Sequence, residues 1–249
     1  MEIKAVKLYE GGFMTQDFAF GGSEDKANLD SNKTYPSSLQ NYLIDTGKEV
    51  ILVDTGIPAE VPDSEPKEGQ KIYPGHRVED YLSALNSLGY KKEQVTKILL
   101  THKHPDHSGE LRSFPNAKIY LSSAEADALN LSGENIVRVE FKDGAYHNFD
   151  SSEKITDGVY LISAPGHTKG NSIVIVEKDG IFYMIHGDVT YTDAALLEEK
   201  LSVVFEDKDA AKVTLEKVRK FIKNNPTVYI STHTPEGIVN LEATKIMRL

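Results

Sequence analysis

Cysteine is absent from all 249 residues, which excludes disulfides and thiolate metal ligands and leaves His, Asp and Glu to hold any ion. The same absence fits a reducing compartment. No apolar run approaches the length of a membrane span, and the stretch Met1-Glu2-Ile3-Lys4-Ala5-Val6 lacks the apolar core of a secretory signal, so a cytoplasmic protein without a membrane partner is expected. Basic charge is in deficit: 28 Lys and Arg against 38 Asp and Glu leave a net charge of −10. Nucleic acid is therefore not expected as a partner, because binding a phosphate backbone depends on clustered cations that release counterions. Ser- and Gly-rich linkers and abrupt shifts in charge are missing as well. Residues 1–249 are read as one domain, long enough to bury a sizeable core, with a composition (39% hydrophobic, 27% charged) ordinary for a globular chain.

What is present in excess is local histidine. Of 8 His in the chain, three fall with an aspartate inside His102-Lys103-His104-Pro105-Asp106-His107. They follow the apolar run Val95-Thr96-Lys97-Ile98-Leu99-Leu100, which reads as a buried strand because it is short, branched and followed by Pro and Gly. In extended backbone His102 and His104 point to the same side, whereas Asp106 and His107 come from a turn that can aim them at a second point. That arrangement suits two adjacent metal ions, and imidazole nitrogen with carboxylate oxygen is the donor set of zinc, iron or manganese.

Alternation and punctuation predict the surroundings. Ile3–Leu8 reads as an edge strand, Gly11–Ser38 as an irregular flap held by Phe13, Phe18, Phe20 and Tyr35, and Gln40–Asp45 with Val50–Asp54 as a hairpin ending in Asp54-Thr55-Gly56. Residues 57–76, with four prolines, read as a second long loop, and Val78–Leu88 as a helix stopped by Gly89. A short helix is expected from Ser108, a strand over Ala117–Leu121, a helix over Ser123–Leu131 capped by Ser123, and strands over Ile136–Phe141, Val159–Ala164, Ser172–Val176 and Ile181–Ile185. A helix over Asp207–Lys223 and a strand over Thr227–Ser231 complete an α/β pattern with mixed sheets.

Three later residues stand at predicted strand ends before a turn, where the sheet fixes the backbone and the loop frees the side chain. They are His167 in Pro165-Gly166-His167, Asp188 in His186-Gly187-Asp188 and His233 in Thr232-His233-Thr234. Their order and spacing, His102-x-His104-x-Asp106-His107 with His167 after 60 residues, Asp188 after a further 21 and His233 after a further 45, resembles the seven-ligand signature of the metallo-β-lactamase superfamily. The resemblance implies an αββα four-layer sandwich of two mixed sheets flanked by helices. It also implies two zinc ions, with iron or manganese as alternatives: His102, His104 and His167 on one, Asp106, His107 and His233 on the other, Asp188 bridging. Asp54 would orient a ligating imidazole by a hydrogen bond.

Within the superfamily the spacings, Tyr191 three residues after Asp188, and the segments Glu68-Gly69-Gln70 and Val78-Glu79-Asp80 resemble the N-acyl homoserine lactonases. That likeness implies opening of a lactone or cleavage of a small ester by a monomer or homodimer. Its catalytic groups would be Tyr191 at the substrate carbonyl and Asp106 as proton shuttle to the leaving alkoxide. Rival readings are a hydroxyacylglutathione-type thioesterase, a mononuclear iron persulfide dioxygenase and a ligand-binding relative without turnover; only 16 residues follow His233, few for a thioesterase's helical substrate domain. His76, His147 and His186 have no place in the signature and are read as surface or supporting residues.

Overall fold

The computed structural model describes residues 1–23 and 26–249. Chain order gives β1 (Glu2–Thr15), α1 (Gln16–Phe20), β2 (Thr34–Asp45), β3 (Val50–Val53), β4 (Ile72–Arg77), α2 (Tyr81–Ser87), β5 (Val95–Leu99) and α3 (Pro105–Ser108). There follow β6 (Lys118–Ser122), α4 (Ser123–Ala128), β7 (Ile136–Val139), β8 (Ser152–Thr156), β9 (Val159–Ser163), β10 (Ser172–Lys178), β11 (Ile181–Ile185), α5 (Asp193–Glu198), α6 (Lys208–Asn224), β12 (Thr227–Ile230) and α7 (Glu236–Glu242). Among the described residues the strands form two mixed sheets, ordered β4-β1-β2-β3-β5-β6-β7 and β12-β11-β10-β9-β8. In the first, β3, β5, β6 and β7 run parallel; in the second, β12 pairs parallel with β11 and the rest are antiparallel.

The period-2 alternation of strands sorts the side chains into layers. Ile44, Ile51, Leu99, Leu161 and Val174 point into the apolar layer between the two sheets. Their neighbours Leu43, Leu52 and Ile98 face outward onto Tyr81, Ala84 and Leu85 of α2 and Ala126 of α4. On the far side Ile162 and Ile175 meet Ala211, Leu215, Val218, Phe221 and Ile222 of α6. Strands buried on both faces explain why the central runs are continuously apolar rather than alternating. The expected αββα sandwich is thus the observed fold. Among the described residues no helix is long and apolar enough to cross a membrane.

Several local expectations are corrected. Ile3–Leu8 is not an edge strand: β1 extends to Thr15 and lies between β2 and β4. The edge is β4, drawn from the segment read as a loop; Pro74, which lacks an N–H, is tolerated at that position. Most of Gly11–Ser38 is likewise β1, α1 and β2 rather than an irregular flap, with residues 24 and 25 outside the described residues. The glycines that suggested irregularity serve close packing: a Cβ at Gly12 would lie 2.0 Å from the Tyr73 carbonyl oxygen. α2 begins at Tyr81 because Asp80, accepting from Ser83 N at 3.0 Å, caps it, and α4 is capped by Ser122 rather than Ser123 and ends at Ala128. The helix expected from Ser108 ends there instead, since Pro105 at its first turn starts it earlier. β8, α5 and α7 escaped prediction because each is five to seven residues long, too short for a period to stand out.

Candidate metal centre

β3, β5, β9, β11 and β12 all end at the same rim of the sandwich, and each delivers its following loop there. β3 leads into Asp54, β5 into His102 to His107, β9 into His167, β11 into Asp188 and β12 into His233. These side chains gather into two groups of potential donors, His102, His104, His167 and Asp188 in one and Asp106, His107 and His233 in the other. In the first, the ring nitrogens His102 Nε2, His104 Nδ1 and His167 Nε2 stand 3.1, 3.2 and 3.0 Å from one another. In the second, His107 Nε2 and His233 Nε2 are 3.3 Å apart, with an Asp106 oxygen 3.6 Å from the latter. Asp188 lies between, Oδ2 3.4 Å from His167 Nε2 and Oδ1 3.2 and 3.1 Å from His107 and His233.

Hydrogen bonds on the far sides of the rings show which nitrogens carry protons. His107 Nδ1 meets Asp54 Oδ2 at 2.7 Å, so one N–H is there and Nε2 is turned inward toward Asp188 and His233. His167 Nδ1 donates to the Val204 carbonyl at 3.1 Å, which leaves Nε2 bare. Thr101 Oγ1 donates to Asp54 at 2.8 Å and accepts from His102 Nδ1 at 3.0 Å, leaving His102 Nε2 in the same state. The inward lone pairs of His102 and His167 repel one another, and the buried Asp188 Oδ1 has no well-formed hydrogen bond. A divalent cation resolves both: nitrogens placed tetrahedrally ~2.0–2.1 Å from an ion lie ~3.3 Å apart, close to the observed spacings. The residues present therefore fit a pair of metal ions.

Electrostatics agree. Burial, aided by the neighbouring imidazoles, pushes His102 well below the ordinary histidine range, and burial pushes His167 down to about 4. Burial opposes the charge on His107 too, but Asp188, Asp54 and Asp106 outweigh it and hold this ring well above its usual value, so without an ion its Nε2 also takes a proton, on the side of Asp188, which a cation there would displace. Asp188 is buried, which favours its neutral form, yet His233 and His107 win and keep it ionised. Tyr191 stacks on His233 (ring centroids 5.0 Å apart) and receives the edge of Phe18 at 4.7 Å; burial and the nearby Asp188 hold its phenol protonated.

Sequence reasoning missed three supporting residues. Thr101 links Asp54 to His102, so one carboxylate orients a ring in each group. Glu125 and Glu206 tie the His102–His104 segment to the His167 loop: Lys103 Nζ pairs with Glu206, whose Oε2 accepts from Lys169 N at 2.7 Å. The one local signal for any of these is Asp54 itself, held at φ 64 in the left-handed region, a strained conformation for a residue other than glycine. Lys103, between two candidate ligands, directs its charge to Glu206. Phe18 and Phe20 pack with Met14, Tyr191 and Ala195, whereas Phe13 lies against Tyr73.

His76 and His147 are exposed, away from both groups. His186 is fully buried, stacked 3.9 Å from Tyr229, without a well-formed hydrogen bond at either ring nitrogen, and burial pushes it down to about 3. Below pH ~6.5 the unfolded chain protonates this ring and the folded chain does not, so its contribution is intact above that pH and is lost as pH falls from 6.5 toward 3. In metal-free protein, His186→Phe is expected to flatten the acid branch of stability by roughly 1.4 kcal/mol per pH unit between pH 6 and 4. Urea unfolding of both proteins across that range checks it; parallel slopes would refute it.

The chain is similar to known proteins in sequence and in fold. The model of the Metallo-beta-lactamase superfamily matches residues 39–233. An N-acyl homoserine lactonase from Bacillus cereus is 28% identical over 220 residues, 82% of this chain and 86% of that protein. A solved structure of an N-acyl homoserine lactone hydrolase, with the product N-hexanoyl-L-homoserine bound at its catalytic metal centre, superposes with a TM-score of 0.72 at 22% identity over 95% of each chain. That of a dizinc quorum-quenching lactonase in complex with a product does so with a TM-score of 0.66 at 19% identity, covering 94% of this chain and 90% of that one.

Proposed function

We propose, for a chain that belongs to the metallo-beta-lactamase superfamily, that it is a hydrolase opening a lactone or cleaving a small ester with two divalent ions, zinc in the first instance. The observation that carries this reading is the pair of donor groups sharing Asp188, each with ring nitrogens turned inward. Similarity to an N-acyl homoserine lactonase and to product-bound lactonase structures supports the lactone among esters. His102, His104, His167 and Asp188 would hold one ion, and Asp106, His107 and His233 the other, with Asp188 reaching both. When bound, the ions supply Lewis acidity and a water acidified to near neutral pH, so no Ser or Cys nucleophile is required.

The chain's own groups do the rest. Thr101 keeps Nε2 of His102 free of a proton and the Val204 carbonyl does so for His167, while Asp54, accepting from Nδ1 of His107, turns Nε2 of that ring inward. Tyr191, neutral at physiological pH, offers its O–H to the substrate carbonyl oxygen as charge builds there. Asp106, whose side chain is 32% exposed while its neighbours are nearly sealed, is the carboxylate that solvent and a leaving alkoxide can reach, and it carries the proton between them.

The test is to assay zinc-loaded wild type and Tyr191→Phe against lactones, thioesters and phosphodiesters. Wild type is expected to turn over lactones best, and Tyr191→Phe to lose ~10–100-fold in kcat with little change in KM, the worth of one hydrogen bond to a developing charge. Turnover of thioesters alone would refute the lactone assignment, and unchanged kcat in the variant would remove Tyr191 from the mechanism.

A further inference from the structure

Glu125 in α4 is 1% exposed, yet among the described residues no lysine or arginine forms a direct ion pair with it: the Lys103 ammonium, near enough to feel its charge, is paired with Glu206 instead. Three donors satisfy it. Oε2 accepts from Lys103 N at 2.7 Å; Oε1 accepts from Gly170 N at 2.8 Å and Thr168 Oγ1 at 2.9 Å. Lys103 separates His102 from His104, and Thr168 follows His167, so the two segments that supply all three ring nitrogens of the first donor group are tied to one carboxylate. The fit is tight. A Cβ at Gly170 would lie 2.1 Å from Ser122 Oγ and 2.8 Å from Glu125 Cγ, so the loop can approach α4 this closely only with glycine there.

Burying a carboxylate without a direct ion pair is costly, and an apolar residue would serve packing better. We propose that Glu125 is a positioning residue for one ion only, fixing the separation of the His102–His104 segment from His167 and so the affinity of the His102, His104, His167 and Asp188 site. The inference rests on the two-ion reading above. His107 in the other group is oriented by Asp54, which accepts from it directly, and none of Glu125's three donors lies next to Asp106 or His233. The two ions should therefore respond separately.

The experiment titrates metal-free protein with Co²⁺, followed by d–d absorption, and measures zinc retained per chain after gel filtration. In Glu125→Gln the side-chain NH2 can replace one acceptor oxygen and oppose the Lys103 N–H. One ion is then expected to bind ~10–100-fold more weakly with an altered spectrum, while the other keeps its wild-type affinity and band. Thr168→Val, which removes a single donor at nearly constant volume, should weaken the same ion less, and it decides the matter if Glu125→Gln does not fold. Wild-type affinities for both ions in a folded variant, or equal weakening of both, would overturn the proposal. A wild type that binds one ion would instead overturn the two-ion reading, and Glu125 would then be judged by whether that ion's affinity falls in the variant.

Discussion

Asp188→Asn is expected to cost at least ~10³-fold in kcat/KM and to lower the metal content of the purified protein from two ions per chain toward one. The carboxylate is 3% exposed and sits among four imidazoles, with Oδ2 toward His167 and Oδ1 toward His107 and His233. An asparagine of the same shape offers one neutral oxygen and turns an NH2 toward ring nitrogens that should face an ion. What is lost is the charge that lets two cations sit close together, and the several kcal/mol such ions contribute to the transition state correspond to three or more factors of ten. Metal analysis with steady-state kinetics checks both halves. Two tightly held ions and activity within tenfold of wild type would rule out a bridging role.

The second large effect is on stability. An ion present at a thousand times its dissociation constant stabilises the folded state by about 4 kcal/mol, so two contribute about 8. At ~2–4 °C per kcal/mol for a chain of this size, exhaustive chelation should lower Tm by on the order of 20 °C and abolish turnover. The sign follows from the converging bare nitrogens of His102 and His167, which repel when nothing lies between them. Differential scanning calorimetry before and after chelation, then with zinc, manganese or iron restored, gives the size of the effect and the preferred metal. An unchanged Tm would mean that the donor groups are already satisfied without a cation.

How much of this was legible in the sequence depended on separation along the chain. His102, His104, Asp106 and His107 announce themselves because a metal site draws several ligands from one loop, and His167, Asp188 and His233 because each ends an apolar strand. Glu125 gave no such sign. Its partner Thr168 is 43 residues away, just as the partner of Lys103, Glu206, is 103 away, and nothing in a polar helix start distinguishes a buried carboxylate from a solvated one. The Gly11–Gly12 and Pro74–Gly75 pairs misled in the opposite direction. Alone they read as breaks, but paired as β1 and β4 they allow two backbones to meet where a side chain could not fit.

The sequence by itself determined the donor inventory, the strands that carry it and the layered α/β character, since alternation and residue chemistry are local properties. Tertiary structure alone decided that five strand ends meet at one rim, that Asp188 turns one oxygen toward each donor group, that Thr101 links Asp54 to His102, and that Glu125 joins the segments on either side of the first group. Those are distances between residues dozens of positions apart, set by how two sheets pack face to face, and no local pattern encodes them.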